Sequence, residues 1–364
     1  MKVGVLTGGG DCSGLNAVIR AIVKYGTKRY NYRFLGIKYG WGGLVPEKMK
    51  EEERITLDES ELNDLSKRVV KLTPENVSGI LIWGGTLLKS SRANPSGDEW
   101  LKVLRQRFDE LKLDALIAIG GEDTLSVAHE AFIKVQLPVV GVPKTIDNDV
   151  YGTDSTVGFT TAYEWITENV DRLHTTAQSH HRILIVEAMG REAGWLALRG
   201  GIAGGADVIL IKEKPLSIDE IVRLIKERQT KGKKFSIIVV AEGYPLEGKP
   251  VTTGKKDPFG HEQYGGVAYR LASVLREKTG FYVGVSDPKH TQRGGVPAAY
   301  DRWIGTLLGM HAVDLVARKQ FGRMAVIPPR PAEVSDVALD EVRKGNRVVP
   351  TQLYDWLSWL FGAV

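Results

Sequence analysis

The stretch KVGVLTGGGDCSGLNAVIRA, residues 2–21, decides the fold, because it runs from an apolar segment through glycines into a helical pattern. The segment from Lys2 to Thr7 is short and apolar enough for a strand that is buried on both faces. From Leu15 to Tyr25 the apolar residues recur with helical spacing. A buried strand that leads through a tight turn into a helix is the repeating unit of an α/β fold.

The same alternation continues along the chain. Further apolar runs predict strands that begin at Arg33, Ala115, Pro138, Arg182, Asp207, Phe235 and Met324. Helical patterns occupy residues 125–134, 160–173, 218–228, 267–278 and 303–317. Strand alternating with helix predicts two lobes within these 364 residues, each a mainly parallel sheet with helices on both faces.

The composition narrows the class of protein. Hydrophobic residues make up 43% of the chain and charged residues 26%, with a formal net charge of +5. This mild positive charge does not argue for a nucleic-acid partner, and it suits a small anionic substrate. The single cysteine, Cys12, excludes an internal disulfide and fits a reducing compartment. No apolar stretch approaches a membrane span and no signal-peptide pattern begins the chain, so we expect a cytoplasmic protein without a membrane partner.

Ligands of such sheets bind where the strands end, so the turns there are informative. The glycines Gly8–Gly10 would let backbone amides approach a phosphate, although glycines after a strand also make simple tight turns. In GGEDT, residues 120–124, Gly120 and Gly121 allow the same close approach, and Thr124 is expected to cap the next helix. Glu122 and Asp123 suggest a bound cation, but acids are also favourable at a helix N-terminus.

The segment PKTIDND, residues 143–149, brings Asp147 and Asp149 two residues apart, hence onto one side if the chain stays extended. One carboxylate could hold Mg²⁺ through water, and the other could take a proton from an attacking hydroxyl. The alternative is a purely structural turn, because Asn and Asp are common turn formers. Cations that could bind anionic groups are supplied by Arg92, Lys144, Arg182, Arg191, His290 and Arg293.

Taken together, the blocks resemble the phosphofructokinase family from residue 2 to about residue 329. The blocks that carry the resemblance are TGGGDCSGLNAVIR, GGTLLKSSR, GGEDTLSVA, PKTIDND, GTDSTVGF, HHRILIVEAMGREAG and QRGGVPAAYDR. The resemblance implies a phosphoryl transfer to the 1-hydroxyl of fructose 6-phosphate, with Mg²⁺ as cofactor. It also implies a homodimer or homotetramer whose active sites are shared between subunits.

The resemblance also implies roles for individual residues. Asp147 would be the general base, and Thr145 and Asp149 would belong to the same substrate turn. Glu122 would be the metal-associated acid, a position at which the family usually has Asp. Donor phosphates would face Gly9, Gly10, Arg92, Gly121, Asp123 and Lys144. Arg191 would stabilise charge on the transferred group, Met189 and Gly190 would line the sugar site, and Glu242 would hydrogen-bond the sugar. The sugar phosphate would face His290 and Arg293, together with Arg182 contributed by a neighbouring subunit.

Two positions bear on the choice of donor. Family members that use ATP typically have glycine at the positions of Asp123 and Lys144. A carboxylate at the first would crowd and repel the α-phosphate of a nucleotide, and lysine at the second would supply a point charge to pyrophosphate. Lysine alone would be weak evidence, because some ATP-dependent members also have it. The pair predicts pyrophosphate as donor, with ATP as the alternative.

The acceptor end departs from the family pattern. An ungapped alignment puts Gly284 where a second arginine from the neighbouring subunit should stand, and Lys89 replaces a glycine that is usual near Arg92. An acceptor other than fructose 6-phosphate therefore stays open. For the lobes we expect residues 1–158 with 292–342 to bind the donor, and 159–291 with 343–364 to bind the sugar phosphate. Residues 244–266 are expected to form a loop.

Overall fold

The computed structural model describes residues 1–256, 262–329 and 334–361. The strands are β1 (Lys2–Thr7), β2 (Arg33–Ile37), β3 (Val69–Leu72), β4 (Ala115–Gly120), β5 (Val139–Pro143), β6 (Ile183–Ala188), β7 (Val208–Leu210), β8 (Ser236–Ala241), β9 (Pro245–Leu246), β10 (Lys249–Pro250), β11 (Thr252–Lys256), β12 (Glu262–Tyr264), β13 (Val283–Ser286), β14 (Arg323–Val326) and β15 (Ser335–Ala338).

The helices are α1 (Leu15–Tyr30), α2 (Glu51–Arg54), α3 (Glu59–Asn63), α4 (Asp98–Glu110), α5 (Glu122–Val135), α6 (Phe159–His180), α7 (Trp195–Ala203), α8 (Ile218–Thr230), α9 (Val267–Thr279), α10 (Ala299–Ala317) and α11 (Thr351–Leu357). None of these helices, across the part of the chain that the structure describes, is long and apolar enough to cross a membrane. The predicted α/β class is confirmed, and so is each predicted strand and helix.

The chain divides into two compact units. The first contains residues 1–145, 150–158 and 293–345, and the second contains 146–149, 159–292 and 346–364. Residues 146–149, expected to lie with the rest of 1–158, group with the second unit. The assignment of one unit to the donor and the other to the sugar phosphate stays a prediction.

The first unit contains a seven-stranded sheet in the order β15-β14-β5-β4-β1-β2-β3. Its five inner strands are parallel, and the edge strands β3 and β15 pair antiparallel. Every residue of β4 and β5 is buried, as expected of parallel strands covered on both faces. The register aligns Thr7 with Ile119 and Gly120 with Pro143, so the residues that directly follow β1, β4 and β5 within this unit, Lys144 among them, are neighbours.

The second unit contains a four-stranded parallel sheet in the order β13-β6-β8-β7. Its core lies between this sheet and the apolar faces of α8 and α9. The register aligns Ala188 with Ala241, so the segments that begin at Met189 and Glu242 leave the sheet side by side.

The expectation of a loop over residues 244–266 is wrong for part of that stretch. The strands β9 and β10 form one antiparallel pair, and β11 and β12 form another. Glycine, proline and charge concealed these strands, because strands of two to five residues carry little readable periodicity. Residues 257–261 of the predicted loop lie outside the described residues.

Candidate active site

The turn after β1 in the first unit has glycines that leave its backbone open to close approach by a ligand. Gly9 has a φ of 79°, in the left-handed region that favours glycine. Its amide donates to Ser91 O at 3.0 Å, and the hydroxyl of Ser90 donates to Gly9 O at 2.5 Å. A Cβ on Gly10 would lie 2.6 Å from a guanidinium nitrogen of Arg293. The glycines therefore leave room at a turn that already faces one of the predicted phosphate-binding arginines.

The turn after β4 packs directly against this first turn. The amide of Gly8 donates to Ile119 O at 2.9 Å, and a Cβ on either Gly8 or Gly120 would lie 2.6 Å from the hydroxyl oxygen of Thr124. The prediction that Thr124 caps α5 is wrong, since Gly121 is the cap residue and Thr124 is the third residue of the helix. The side chain of Thr124 instead occupies the space that these glycines leave.

The two predicted acids lie in the first turn of α5. Glu122 and Asp123 are its first two residues, where the partial positive charge of the helix favours carboxylates. One carboxylate oxygen of Glu122 accepts a hydrogen bond from Ser126 Oγ at 3.1 Å. Both acids are therefore held beside the glycine turns, at a helix end that is suited to anions.

Lys144 follows β5 and is brought to the same place. Its amide donates to Gly120 O at 2.9 Å, and its ammonium group donates to the carbonyl oxygen of Gly10. Its Nζ lies 3.6 Å from where a Cβ on Gly9 would be, and only 3% of the residue is exposed. A buried cation thus lies against the glycine turn that was predicted to receive the donor phosphates.

The GGTLLKSSR block borders this turn through its backbone. The amide of Arg92 donates to a carboxylate oxygen of Glu53 at 3.0 Å. Lys89 has a φ of 56°, in the left-handed region that favours glycine. Its ammonium group donates to Tyr39 Oη at 3.1 Å, and this hydrogen bond raises the pKa of Lys89. The side chain of Lys89 is therefore paired with Tyr39.

The acids around the glycine turns fit a metal that is held together with phosphate. No group of three or more His, Cys, Asp and Glu side chains that could hold a metal occurs among the described residues. Mg²⁺ commonly takes one or two protein carboxylates and completes its shell with water and substrate phosphates. Glu122 provides such a hard oxygen ligand, so the available metal ligand suits Mg²⁺ bound together with a phosphate substrate.

The turn that carries Asp147 and Asp149 belongs to the second unit. Asp147 is 5% exposed, and Asn148 between the two acids is buried with a φ of 54°. The chain is therefore not extended here, and the argument that alternation brings both carboxylates to one side does not apply. Asn tolerates the left-handed conformation better than most residues. The segment is thus a turn, and it is also one that buries a carboxylate.

The loop after β6 carries Arg191 in a second left-handed conformation, with a φ of 48°. A carboxylate oxygen of Glu242 accepts from the amide of Gly190 at 3.2 Å and from that of Arg191 at 2.8 Å. We expected Glu242 to hydrogen-bond the sugar, and that role stays a prediction. What the structure adds is that Glu242 supports the loop on which Arg191 is placed.

Gln292 is a residue to which the sequence analysis gave no role. It is buried, its side-chain oxygen accepts from the amide of Met189 at 3.0 Å, and its amide nitrogen donates to Glu187 O at 3.4 Å. Gln292 thereby holds the start of the loop that contains Gly190. Its place in the QRGG block was the available signal, but the sequence does not show which backbone a glutamine will contact.

The remaining predicted sugar-phosphate residues lie on separate segments. In the second unit, the guanidinium carbon of Arg182 lies 4.6 Å from the centre of the Tyr282 ring, and His290 is exposed. Arg293 belongs to the first unit and donates to Asp11 O at 3.4 Å. A Cβ on Gly284 would lie 2.8 Å from a methyl carbon of Leu184. The structure thus brings Arg293 to the glycine turn, and a side chain at position 284 would require the Leu184 side chain to shift.

Comparison with known proteins gives a single family. The family description "Phosphofructokinase" matches residues 2–316. A protein named pyrophosphate--fructose 6-phosphate 1-phosphotransferase from Amycolatopsis methanolica is 46% identical, with 100% of each chain covered. A protein named ATP-dependent 6-phosphofructokinase 3 from Streptomyces coelicolor is 42% identical, covering 97% of this chain and 98% of that one.

Among solved structures, phosphofructokinase from Saccharomyces cerevisiae is similar with a TM-score of 0.77 and 30% identity. The match covers 94% of this chain and 45% of the yeast chain, so this chain spans less than half the length of that relative. The relatives thus agree on the fold, while their names differ in the phosphoryl donor.

Proposed function

The chain belongs to the phosphofructokinase family, and from this premise we propose that it transfers a phosphoryl group from pyrophosphate to the 1-hydroxyl of fructose 6-phosphate. The observation that carries the choice of donor is the joint presence of Asp123 and the buried Lys144, whose ammonium group donates to the carbonyl of Gly10. A lysine there supplies a compact positive charge where the two phosphates of pyrophosphate would bind. Asp123, in the first turn of α5, supplies the complementary reason against a nucleotide.

Asp123 discriminates by repulsion. The β- and γ-phosphates of a nucleotide donor correspond in shape to pyrophosphate. The α-phosphate is an additional group beyond them. A carboxylate near that third phosphate adds like-charge repulsion and takes up space, while a two-phosphate donor leaves the position unused. Specificity of this kind needs an unfavourable group against the wrong donor as well as a favourable one for the right donor, and Asp123 and Lys144 supply one each.

The proposed chemistry is an in-line transfer. The 1-hydroxyl oxygen attacks one phosphorus of pyrophosphate, the bond to the bridging oxygen breaks, and inorganic phosphate leaves. Asp147 accepts the proton of the hydroxyl as general base. Lys144, Arg92 and Arg191 balance the charge on the phosphates, and Thr145 and Asp149 orient the acceptor. Mg²⁺, held by Glu122 with the donor, would neutralise charge on the phosphate oxygens.

A pyrophosphate donor has a metabolic consequence. The phosphoanhydride cleaved and the phosphate ester formed are close enough in free energy for the reaction to run near equilibrium. The enzyme would therefore serve the glycolytic and the gluconeogenic direction. We place it in the cytoplasm, as a homodimer or homotetramer in which a neighbouring subunit contributes Arg182.

ATP is the second candidate donor, because a relative named as ATP-dependent is nearly as similar as the one named for pyrophosphate. The deciding experiment measures fructose 1,6-bisphosphate formation by the purified chain with Mg²⁺ and either donor. We expect kcat/KM for pyrophosphate to exceed that for ATP. The reverse preference would overturn the donor assignment. If no product forms with either donor, the assignment of this enzymatic activity is overturned.

Two substitutions at one position separate the causes of donor choice. Asp123→Gly removes both the charge and the bulk, whereas Asp123→Asn removes the charge alone. We expect ATP-dependent kcat/KM to rise in both variants and more in the glycine variant. If neither rises, Asp123 does not exclude the nucleotide and the donor argument fails, because lysine alone is weak evidence for pyrophosphate.

An acceptor other than fructose 6-phosphate stays a candidate because of position 284. Gly284 pairs with Leu184 in the sheet and has no side chain, so it cannot supply the cation that the family resemblance led us to expect there. Assays with pyrophosphate and a panel of fructose 6-phosphate, sedoheptulose 7-phosphate and unphosphorylated polyols would rank the acceptors. A preference for one of the last two would replace the acceptor in the proposal and keep the donor.

A further inference from the structure

A short segment near the C-terminus contacts the turn that carries the proposed base. It lies beyond residues 2–316, which match the family, and belongs to the second unit. The amide of Arg347 donates to Asp149 O at 2.7 Å, and its guanidinium group donates to Asn148 O at 3.4 Å. Both the backbone and the side chain of Arg347 therefore hold carbonyl groups of the turn that contains Asp147.

The same residue is held from the other side by the start of α7. The guanidinium carbon of Arg347 lies 4.3 Å from the centre of the Trp195 ring, a cation–π distance. The indole N–H of Trp195 donates to Arg347 O at 2.9 Å. Because Trp195 is buried, this pairing presents a fixed surface against which the arginine can rest.

A carboxylate fixes the geometry of both partners. One oxygen of Glu213 accepts from the amide of Gly194, just before Trp195, and from the amide of Val349, two residues after Arg347, each at 2.9 Å. Gly194 ends the loop that carries Arg191. One set of contacts thus joins the Arg191 loop to the C-terminal segment and, through Arg347, to the Asp147 turn.

The two segments joined in this way each contain a strained residue. Asn148 and Arg191 are both in the left-handed region, with φ values of 54° and 48°. Such conformations persist where the surrounding structure over-determines them, and they are common where reacting groups must be held in place. A turn with this strain needs external contacts to keep one geometry.

We propose that Arg347 is a positioning residue for the reaction: with Trp195 it holds the turn 146–149 so that Asp147 stays aligned with the acceptor hydroxyl. This inference rests on the proposed function for its catalytic consequence. Arg347 acts through Asn148 and Asp149 and takes no part in the chemistry. Its removal should therefore slow turnover more than it weakens the binding of pyrophosphate, whose predicted ligands lie on other segments of the chain.

The test uses three variants of the full chain. Arg347→Ala removes the side-chain contacts and keeps the backbone hydrogen bond to Asp149. Arg347→Lys keeps a cation that can rest on the Trp195 ring. Lys214→Ala is the matched control, because it removes another cation that pairs with the C-terminal segment, at the exposed Asp355, away from the turn.

Two readouts are measured on each variant. Steady-state kinetics should show kcat lowered about 10- to 100-fold in Arg347→Ala, since a displacement of about 1 Å can cost that much, with KM for pyrophosphate within about twofold. Arg347→Lys should recover part of the loss, and Lys214→Ala should match the wild type. Hydrogen exchange of peptides that cover residues 144–150 should be faster in Arg347→Ala and unchanged in the control.

Trp195→Phe adds a test of coupling. It removes the indole donor to Arg347 O and keeps an aromatic ring under the guanidinium group. If the two residues act as one unit, the double variant should lose little more kcat than Arg347→Ala alone. Fully additive losses would show that Trp195 does not act through Arg347.

The failure of this inference is distinguishable from the failure of the proposed function. Unchanged exchange over residues 144–150 in folded Arg347→Ala overturns the inference, whatever the activity of the enzyme. Wild-type kcat in that variant also overturns it while the proposed function stands. An inactive wild type would overturn the function, and the exchange measurement would then decide the structural claim by itself. Loss of kcat in Lys214→Ala to the same extent would assign the effect to general loosening of the C-terminal segment.

Discussion

Replacing Lys144 with methionine tests the donor site most directly. Methionine has nearly the length of lysine and keeps the buried stem, but it removes the ammonium group that lies on Gly10 O. A hydrogen bond to a charged group contributes about 1.5 to 3 kcal/mol. Loss of one such contact to pyrophosphate should lower kcat/KM for this donor about 10- to 150-fold, since about 1.4 kcal/mol corresponds to a factor of ten.

Stability should change much less than activity. The substitution removes a donor from Gly10 O, which is unfavourable, but it also removes a buried charge and its desolvation cost. We expect these effects to offset each other, leaving the free energy of unfolding within about 1 kcal/mol of the wild type. The amide of Lys144, which donates to Gly120 O, is retained.

The assay couples fructose 1,6-bisphosphate formation to aldolase, with pyrophosphate varied at saturating acceptor and Mg²⁺. Lys134→Met is the matched control, because Lys134 is a half-exposed lysine that pairs with Asp98 on the surface. It should retain wild-type kinetics. A folded Lys144→Met variant with unchanged kcat/KM for pyrophosphate would refute the reasoning, since the buried cation would then make no contribution to the donor.

Three further outcomes follow from the first unit. Burial raises the pKa of the Cys12 thiol from 9.0 to about 12, so the native protein should resist iodoacetamide at pH 8 while urea-unfolded protein reacts. The free energy of unfolding should fall as the pH rises from about 9 towards 12, because the unfolded chain then releases a proton that the folded chain retains. Gly14→Ala should lower the unfolding free energy by about 1 to 3 kcal/mol in urea titrations, because φ is 106° and the new Cβ would lie 2.7 Å from a methyl of Val157. Asp301→Ala should cost about 1 to 3 kcal/mol in the same titration, since the buried amide of Gly158 loses its acceptor at 2.9 Å, and Asp301→Asn should restore part of it.

Much of the fold could be predicted because its inner strands are apolar throughout. Runs such as ALIAIG, residues 115–120, are buried along their whole length, and burial on both faces leaves a plain sequence signal. The strands that escaped prediction lie at sheet edges or are very short. β3 and β15 are partly exposed edge strands, and β13 contains Gly284, so their residues have no marked pattern.

In the candidate site, the geometry that follows from the sheet is the neighbourhood of the turns at one sheet edge. Parallel strands end at one edge of a sheet, and the register places Thr7 beside Ile119 and Gly120 beside Pro143 at that edge. The contacts inside that edge were not predictable. Thr124 looked like a cap and serves as packing between glycines, because capping depends on where the helix begins, within a residue or two.

By itself the sequence determined the α/β class, the family and the types of group available for phosphoryl transfer, because these depend on local patterns and on the order of motifs. The tertiary structure decided which groups touch: that Lys144 lies on Gly10, that Glu242 supports the Arg191 loop, and that Arg347 holds the Asp147 turn. These contacts join residues separated by about 50 to 200 positions. Local pattern carries no record of such pairings, since they arise only when the strands and the C-terminal segment have packed.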